Sequence, residues 1–368
     1  MTSLLFDKNE QEGILTFTIS NINVSYANAI RRTILADIPT VVFETLPHEK
    51  NNSTFYINTS KLNNEILKQR LSCIPIHIDD LDMPLDDYIL DVDVKNTTDS
   101  IIYVTTKDFK IKNLKSDKYL NDNLVNTIFP PNYITKQYID FCRLNKKISD
   151  TILGEHIKFT CKFSISTASE NSSFNVVSTC TYRNTPNINE IEEQEILKRE
   201  ELKEKFKDDE ESIEFHLQDW RKLDAKRLVL DNSFDFKIET IGVFTNTYII
   251  RKSINIIINR LKNIEANYVN DTTLIEKSNS TIENSFDIKL ENEDFTIGKI
   301  LEFTLYDNYF QKQEILTFCG FKKDHPHTPG STIRLAFNEE TTKELVVQYL
   351  VNAANTAIEF YVKLLKQF

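Results

Sequence analysis

The sequence has only 6 glycines, 2 methionines and 1 tryptophan in 368 residues. So little glycine excludes collagen-like and glycine-rich low-complexity chains. It also fits the lack of any GxxxxGK[ST], GxSxG or HExxH pattern, so none of the familiar phosphate-binding, hydrolase-elbow or metalloprotease motifs is present. The 5 cysteines (Cys73, Cys142, Cys161, Cys180 and Cys319) are scattered, with no CxxC pair. A structural zinc site wants closely spaced thiolates, and an odd cysteine count does not read as a disulfide framework. A reducing compartment is expected, with no metal and no cofactor. No apolar run of about 18 residues occurs, so no membrane span is expected. The opening MTSLLFDKNE lacks the basic and apolar regions of a signal peptide, so no secretory leader is expected.

Positive charge is also in deficit: 44 Lys and Arg stand against 55 Asp and Glu, a net charge of -11. Gripping nucleic acid requires a basic surface that releases counterions. No direct nucleic-acid contact is therefore expected, and an acidic protein of this kind is better suited to touching other proteins. The 40% hydrophobic and 27% charged content is ordinary for a globular chain long enough for two or three domains. Abundant Asn, Ile and Lys point to an AT-rich genome.

Periodicity divides the chain. The alternation Ile14-Leu15-Thr16-Phe17-Thr18-Ile19 predicts a strand, preceded by another at Leu4–Asp7. Ser25–Ala36 carries Ala27, Ile30 and Ile34 at helical spacing and is closed by Pro39. From 46 to 185, short apolar stretches between polar turns, with Ile157–Ser166 read as one of the strands, predict a mostly-β domain with one helix at Asn63–Leu71. Residues 186–231 are dense in Glu, Lys and Asp and read as a helical insertion with a solvated face. Phe234–Val243 returns to strand, and Tyr248–Ile264 is an amphipathic helix with Ile250, Ile254, Ile257, Leu261 and Ile264 on one side.

A polar stretch at 267–284 has linker character. Beyond it lie strand Phe286–Leu290, helix Thr296–Leu305, strands Ile315–Phe321 and Ser331–Asn338, and a helix Thr342–Leu365. That last helix has Val346, Tyr349, Ala353, Ala357, Phe360 and Leu364 on one stripe. The order strand, short helix, strand pair, long amphipathic helix thus occurs twice, the first copy holding a large insertion. Both short helices begin with a hydroxyl residue suited to capping, Ser25 or Thr296. Both then place a small residue, Ala27 or Gly298, where a neighbouring helix could approach. Each long helix has more apolar stripe than one thin sheet covers, so each copy needs a partner.

The run Asn28-Ala29-Ile30-Arg31-Arg32-Thr33-Ile34-Leu35-Ala36-Asp37-Ile38-Pro39-Thr40 closely resembles the signature of the larger alpha-like subunits of multisubunit RNA polymerases. Those are bacterial alpha, the archaeal D subunit and the third-largest subunit of polymerase II. Gln69-Arg70-Leu71-Ser72-Cys73-Ile74-Pro75-Ile76 is similar to the family's HRLGLIPI segment, and Glu239-Thr240-Ile241-Gly242 to its return into the dimerisation domain. Glu293-Asp294-Phe295-Thr296-Ile297-Gly298, then Gly320-Phe321-Lys322 and His325-Pro326, resemble the DHTLGN and GYK…HP stretches of the small alpha-like partner. Lys299 departs from the usual Asn. The cysteine cluster that many larger partners carry is missing from Asp79–Asp87.

The resemblance implies an α+β fold: two alpha-type dimerisation halves packed as an intramolecular pseudo-dimer, with an inserted mostly-β domain in the first half. The expected divisions are 1–45 and 232–266 for the first half, 46–185 for the inserted domain and 186–231 for the charged insertion. A linker at 267–284 and the second half at 285–368 complete them. The expected pseudo-dimer core is Ala27, Ile30, Ile34, Ile250, Ile254, Ile257, Leu261, Gly298, Leu301, Leu305, Tyr349, Ala353 and Phe360. Arg31 and Arg32 read from the residues alone as a solvated pair. The resemblance makes them, with Asn28, a docking surface for the beta-like large subunit, since the guanidinium fork suits carboxylates and carbonyls.

Asp324 with His325 and His327, and Cys73 with His77, offer too few ligands for a metal and read as turn and core residues. The Asp79–Asp87 cluster reads as an acidic surface turn. The implied function is a non-catalytic assembly scaffold of DNA-directed RNA polymerase. Its partners would be the beta-like and beta-prime-like subunits and small polymerase subunits, and no homodimer would be needed. Fusion of the two partners resembles the arrangement in large DNA viruses of eukaryotes, which implies the virion and host cytoplasm, or the nucleus for a cellular protein. The alternatives are an acidic transcription factor or scaffold outside the polymerase core, and an enzyme of unknown class.

Overall fold

Alternating burial builds the first sheet of the computed structural model, which describes residues 4–149, 151–207 and 209–368. Residues 1–3, where the expectation about a leader begins, lie outside the described residues. Strand β1 (Leu5–Gln11) pairs antiparallel with β2 (Ile14–Ser20), in which Leu15, Phe17 and Ile19 are buried and Thr16, Thr18 and Ser20 face the other way. Helix α1 (Val24–Ala36) follows. Further on come β3 (Val177–Pro186), helices α2 (Ile188–Phe206) and α3 (Glu210–Lys222), β4 (Val229–Thr240) and the long helix α4 (Asn246–Asn270). The second copy comprises β5 (Ile275–Lys277), β6 (Ser285–Leu290), α5 (Phe295–Leu305), β7 (Leu316–Lys322), β8 (Ser331–Phe337) and α6 (Lys343–Leu365).

The two four-stranded sheets have orders β1-β2-β4-β3 and β5-β6-β8-β7. Position by position these are the same topology. The copies differ only in what joins equivalent strands. Residues 37–176 lie between α1 and β3, where the second copy has a π-helical turn, Tyr306–Lys312, and three more residues. The α2–α3 hairpin lies between β3 and β4, where the second copy has only residues 323–330.

By compactness the chain divides into two units. One holds the described residues up to Thr33 together with Thr179–Glu239 and Ile250–Phe368; the other is Ile34–Ser178 with Thr240–Ile249. The first unit therefore holds most of the first repeat and all of the second. The second unit centres on a five-stranded sheet, Ser53–Asn58, His156–Lys162, Tyr88–Lys95, Lys110–Asn113 and Lys118–Tyr119 in spatial order. Two smaller sheets join Thr40–Val42 to Ser164–Ser166, and Ile102–Thr105 to Asp140–Leu144. Its core holds Phe43, Phe109, Phe129, Phe141 and Phe159 in a chain of aromatic contacts. The helix Asn64–Ser72 is capped by the Asn63 side chain. Its Arg70 is exposed and donates to the carbonyls of Phe141 and Asp140, each at 2.7 Å.

Two expectations need correction. The stretch 267–284 is not simply a linker: α4 runs to Asn270, and Ile275–Lys277 forms β5 on the edge of the second sheet. A three-residue strand among Asn, Thr and Ser is too short to show a period, but Ile275 is fully buried. The expected strand over 157–166 is two strands in different sheets.

Ile250, Ile254, Ile257 and Leu261 of α4 are fully buried. Replacing both Ile257 and Leu261 by Asp would place two unpaired carboxylates in that core, each costing several kcal/mol. The double variant is expected to lose its cooperative thermal transition by circular dichroism; a normal transition would refute this placement of α4.

Candidate assembly interface

Helices α1 and α5 occupy equivalent places in the two repeats, and they lie side by side in opposite directions. Near the start of α1, the Tyr26 hydroxyl bonds the Thr304 hydroxyl near the end of α5 at 2.7 Å. At the other end of α1, Arg32 Nε donates to Thr296 Oγ1 at 2.9 Å, and Arg32 Nη2 pairs with the Asp294 carboxylate. Two contacts with reversed sequence order fix an antiparallel pair.

The helix starts are alike. Ser25 N–H donates to Asn23 Oδ1 and Thr296 N–H to Asp294 Oδ1, both at 2.8 Å. The caps are thus Asn23 and Asp294, two residues before the hydroxyls at Ser25 and Thr296 that the sequence offered for the role. A short polar side chain one position outside the helix reaches the free amides better than a residue already in the first turn. Burial alone would raise the Asp294 carboxyl, but the Thr296 amide and the Arg32 guanidinium outweigh it and hold it below its ordinary value of 3.8. Asp294 thus closes one helix and receives the cation of the other.

Tyr26 anchors an aromatic cluster with Phe303, Phe360 and Tyr361, at centroid distances of 6.0, 5.0 and 5.4 Å. The Tyr361 hydroxyl donates to the Tyr26 carbonyl at 3.1 Å. Burial pushes the Tyr26 phenol up to about 12, against the opposing effect of its bond to Thr304. Burial also raises Tyr361 well above its usual value. Both hydroxyls stay protonated and act as hydrogen-bonding groups, not acids.

The long helices exchange ends. Tyr268, near the end of α4, donates its hydroxyl to the Lys289 carbonyl of β6. At the end of α6, Gln367 Oε1 accepts from the Leu4 and Leu5 amides at 2.9 and 3.0 Å, and Phe368 packs edge-on against Phe17 of β2 at 5.0 Å. Each repeat's last helix therefore reaches the other repeat's sheet. Arg260 of α4 adds an ion pair with Glu293 ahead of α5.

Most of the expected core residues meet here. Ala27, Ile30, Leu301, Leu305 and Ala353 are fully buried in the same unit as the α4 residues. Ile34 is buried too but belongs to the second unit. Tyr349 and Phe360 are only half-buried, because the inward face of α6 is Val346, Leu350, Ala353, Ala357, Tyr361 and Leu364. Of the stripe read from sequence, Val346, Ala353, Ala357 and Leu364 are buried, and only two positions stand one residue off: Tyr349 and Phe360 satisfy the same spacing as Leu350 and Tyr361, and only packing decides between them. Gly298 is required not by a neighbouring helix but by Phe321 of β7, whose Cε2 would lie 2.0 Å from an added Cβ.

Arg32 also differs from expectation, because its guanidinium is engaged inside the chain. Arg31 lies half-buried with Nε on Asn28 Oδ1 at 3.0 Å. At the equivalent α5 positions stand Lys299 and Glu302, paired with each other, and Glu302 Oε1 also accepts the Phe321 amide at 2.9 Å. The two equivalent helix surfaces are thus chemically unlike. Asp294, Glu293, Tyr361 and Gln367 were missed as interface residues. Only Asp294, as an Asp immediately before a helix, left a signal in sequence.

Among the described residues, no group of three or more His, Cys, Asp or Glu is placed to hold a metal ion. Asp324 pairs with Lys322, and His325 Nδ1 accepts the His327 amide. All the cysteines are free. Burial pushes the thiols of Cys142, Cys161, Cys180 and Cys319 up to about 12, which leaves them unreactive.

Residues 16–261, from β2 into α4, match the RNA polymerase Rpb3/Rpb11 dimerisation domain. The chain is 34% identical to DNA-directed RNA polymerase subunit Rpo3 of Pyrococcus horikoshii over 97 residues, 25% of this chain and 35% of that one. It is 26% identical to a conjugation stage-specific protein of Tetrahymena thermophila over 205 residues, 51% of this chain and 61% of that one. It is 25% identical to DNA-directed RNA polymerases I and III subunit RPAC1 of Saccharomyces cerevisiae over 278 residues, 66% of this chain and 81% of that one. The match thus spans about a third of the archaeal relative and under two thirds of the ciliate one.

Asp294→Asn keeps a good cap and removes the charge, so it should cost up to about 1 kcal/mol for this partly exposed pair. Because the carboxyl is depressed in the folded state, its contribution is complete above 3.8 and fades as pH falls through the folded value. Urea titrations at pH 7 and pH 3 should show the gap between the two proteins closing in acid; an equal gap at both would break the assignment. Gly298→Ala must displace the Phe321 ring and is expected to cost about 1–3 kcal/mol, read from the same titration.

Proposed function

The chain belongs to the RNA polymerase Rpb3/Rpb11 dimerisation domain family, and from that membership we propose that it is a non-catalytic assembly scaffold of a DNA-directed RNA polymerase. The observation that carries the proposal is the reciprocal clasp of two repeats with one sheet topology. A family named for dimerisation needs two such halves, and here both stand in one polypeptide. In this reading the second repeat is the small alpha-like partner fused behind the larger one. Fusion replaces a bimolecular search by an internal one, at an effective concentration of about the millimolar range for a short tether.

The completed pseudo-dimer docks the beta-like and beta-prime-like subunits, which supply the active centre, and small polymerase subunits add to the assembly. Its two equivalent helix surfaces favour two different partners. The first offers Arg31 beside Asn28, a cation with an amide, whereas the second offers Lys299 and Glu302 already neutralised. We assign the Arg31 side to the beta-like subunit, whose carboxylates or carbonyls a guanidinium recognises. Fusion and the AT-rich composition favour a large eukaryotic DNA virus as source, with the virion and host cytoplasm as its places of work.

The test is co-expression with the beta-like and beta-prime-like subunits of the native source. Arg31→Ala should leave the thermal transition in place and reduce capture of the beta-like subunit about tenfold, the loss typical of one charged interface anchor. Arg32→Ala should instead lower the stability of the chain itself. Undiminished co-purification of the Arg31 variant would remove the docking role.

A further inference from the structure

The five-stranded sheet of the second unit buries one face and leaves the other open. In strand His156–Lys162, Ile157, Phe159 and Cys161 are buried, and the alternate residues His156, Lys158, Thr160 and Lys162 point the other way. In strand Tyr88–Lys95, Leu90 and Val92 are buried, and Ile89, Asp91, Asp93 and Lys95 point outward. Register then sets the outward side chains beside one another. Lys158 stands opposite Asp93 and Ile57, Thr160 opposite Asp91, and Lys162 opposite Ile89. On the far side, Asp91 stands opposite Lys110, Ile89 opposite Lys112, and Lys112 opposite Tyr119. The Tyr56 hydroxyl meets that of Thr160 at 3.3 Å, which puts Tyr56 on the same face. One surface therefore crosses all five strands, from Tyr56 at one edge to Tyr119 at the other.

Its charge is the reverse of the chain's. Lys95, Lys110, Lys112, Lys158 and Lys162 stand there against Asp91 and Asp93, in a protein of net charge -11. Both carboxylates are already engaged. Asp93 takes Lys158 at 2.8 Å and His156 at 2.7 Å, and Asp91 accepts the Tyr119 hydroxyl at 2.5 Å. Lys112 pairs with Asp117 at 2.6 Å. Among the described residues, Lys95, Lys110 and Lys162 have no ion-pair partner, and all three are exposed. The aromatics are exposed too, Tyr56 at 60% and Tyr119 at 51%. The Lys110 and Lys112 ammonium groups lie 6.0 and 5.9 Å from the Tyr119 ring centre. Lysines alone would suit a solvated face; exposed tyrosines set among them give the composition of a contact surface.

We propose that this open sheet face docks an extended acidic segment of a protein partner. Its carboxylates would pair with Lys95, Lys110 and Lys162, and the side chains between them would lie on Tyr56 and Ile89. The placement of the lysines favours a peptide over nucleic acid. Lys95 stands opposite His156, six residues along from Lys162, so the two are about 20 Å apart. Asp91 and Asp93 occupy the ground between. A peptide can set separate carboxylates at the lysines and neutral residues over that centre, whereas a continuous row of phosphates would cross both aspartates. A second copy would bring the same unpaired lysines, and like charges oppose that pairing. The inference does not depend on the polymerase reading.

The probe is a short fluorescein-labelled peptide alternating Glu and Leu; a Gln and Leu peptide of the same pattern and an oligouridylate of the same length are the comparisons. Fluorescence anisotropy with the full chain should show salt-sensitive binding of the Glu peptide, in preference to both others. Lys110→Glu with Lys162→Glu should weaken that binding at least about tenfold, and Tyr56→Ser should weaken it about fivefold, each with an unchanged thermal transition. Lys203→Glu with Lys226→Glu makes the same change of net charge elsewhere and should leave binding as it was. Equal losses in the two double variants would show mere attraction to net charge and overturn the proposal. Tighter binding of the oligouridylate than of the Glu peptide would overturn it in favour of nucleic acid, and absence of Glu-peptide binding would overturn it outright.

Discussion

Two antiparallel helices, α1 and α5, carry the organisation of the first unit. Each is short, and each lies on a sheet too narrow to bury both it and a long amphipathic helix. The pair becomes a core only when Tyr26 reaches Thr304 and Arg32 reaches Asp294. The second contact uses one carboxylate twice, as helix cap and as counter-ion. Capping holds Asp294 at a fixed height on α5, so the ion pair fixes the register of α1 against it. A partly exposed ion pair contributes little to stability by itself; its value here is in specifying one alignment.

Around that axis the fold is a near-copy of itself. Equal strand orders, equal caps at Asn23 and Asp294, and exchanged ends of α4 and α6 all follow one approximate two-fold relation. True two-fold dimers must present identical faces. A single polypeptide is freed from that requirement, and this one departs from it where the departure is useful. Tyr26 is answered by Ile297, and Thr33 Oγ1, equivalent to the bonded Thr304, is buried without a hydrogen-bond partner. Arg31 is answered by Glu302. Symmetry shapes the interior, while its breaking gives two distinct exteriors.

Much of this was legible in the sequence. The repeat order, the α4 stripe from Ile250 to Leu261 and the family motifs at Asn28–Thr40 and Glu293–Gly298 follow from period and residue type, which are local properties. The illegible parts depend on distant packing. Spacing admits Tyr349 and Leu350 equally as inward residues, and nothing local shows that Gln367 will receive the amides of Leu4 and Leu5. The role of Gly298 was read correctly as close approach but with the wrong neighbour, since a missing Cβ does not say what fills its place. The family resemblance makes Arg32 a docking residue, and its partner inside the chain is not legible beside it because that partner lies 262 positions away.

The bonds from Gln367 to Leu4 and Leu5 bring the two ends of the described chain to one side of the first sheet. The order of the repeats along the polypeptide is therefore not dictated by their arrangement in space. A chain opened between α4 and β5 and rejoined across residues 4 and 367 would trace the same path with its halves interchanged. What the fold prescribes is a closed circuit, and the linear gene is one of the places at which that circuit can be cut.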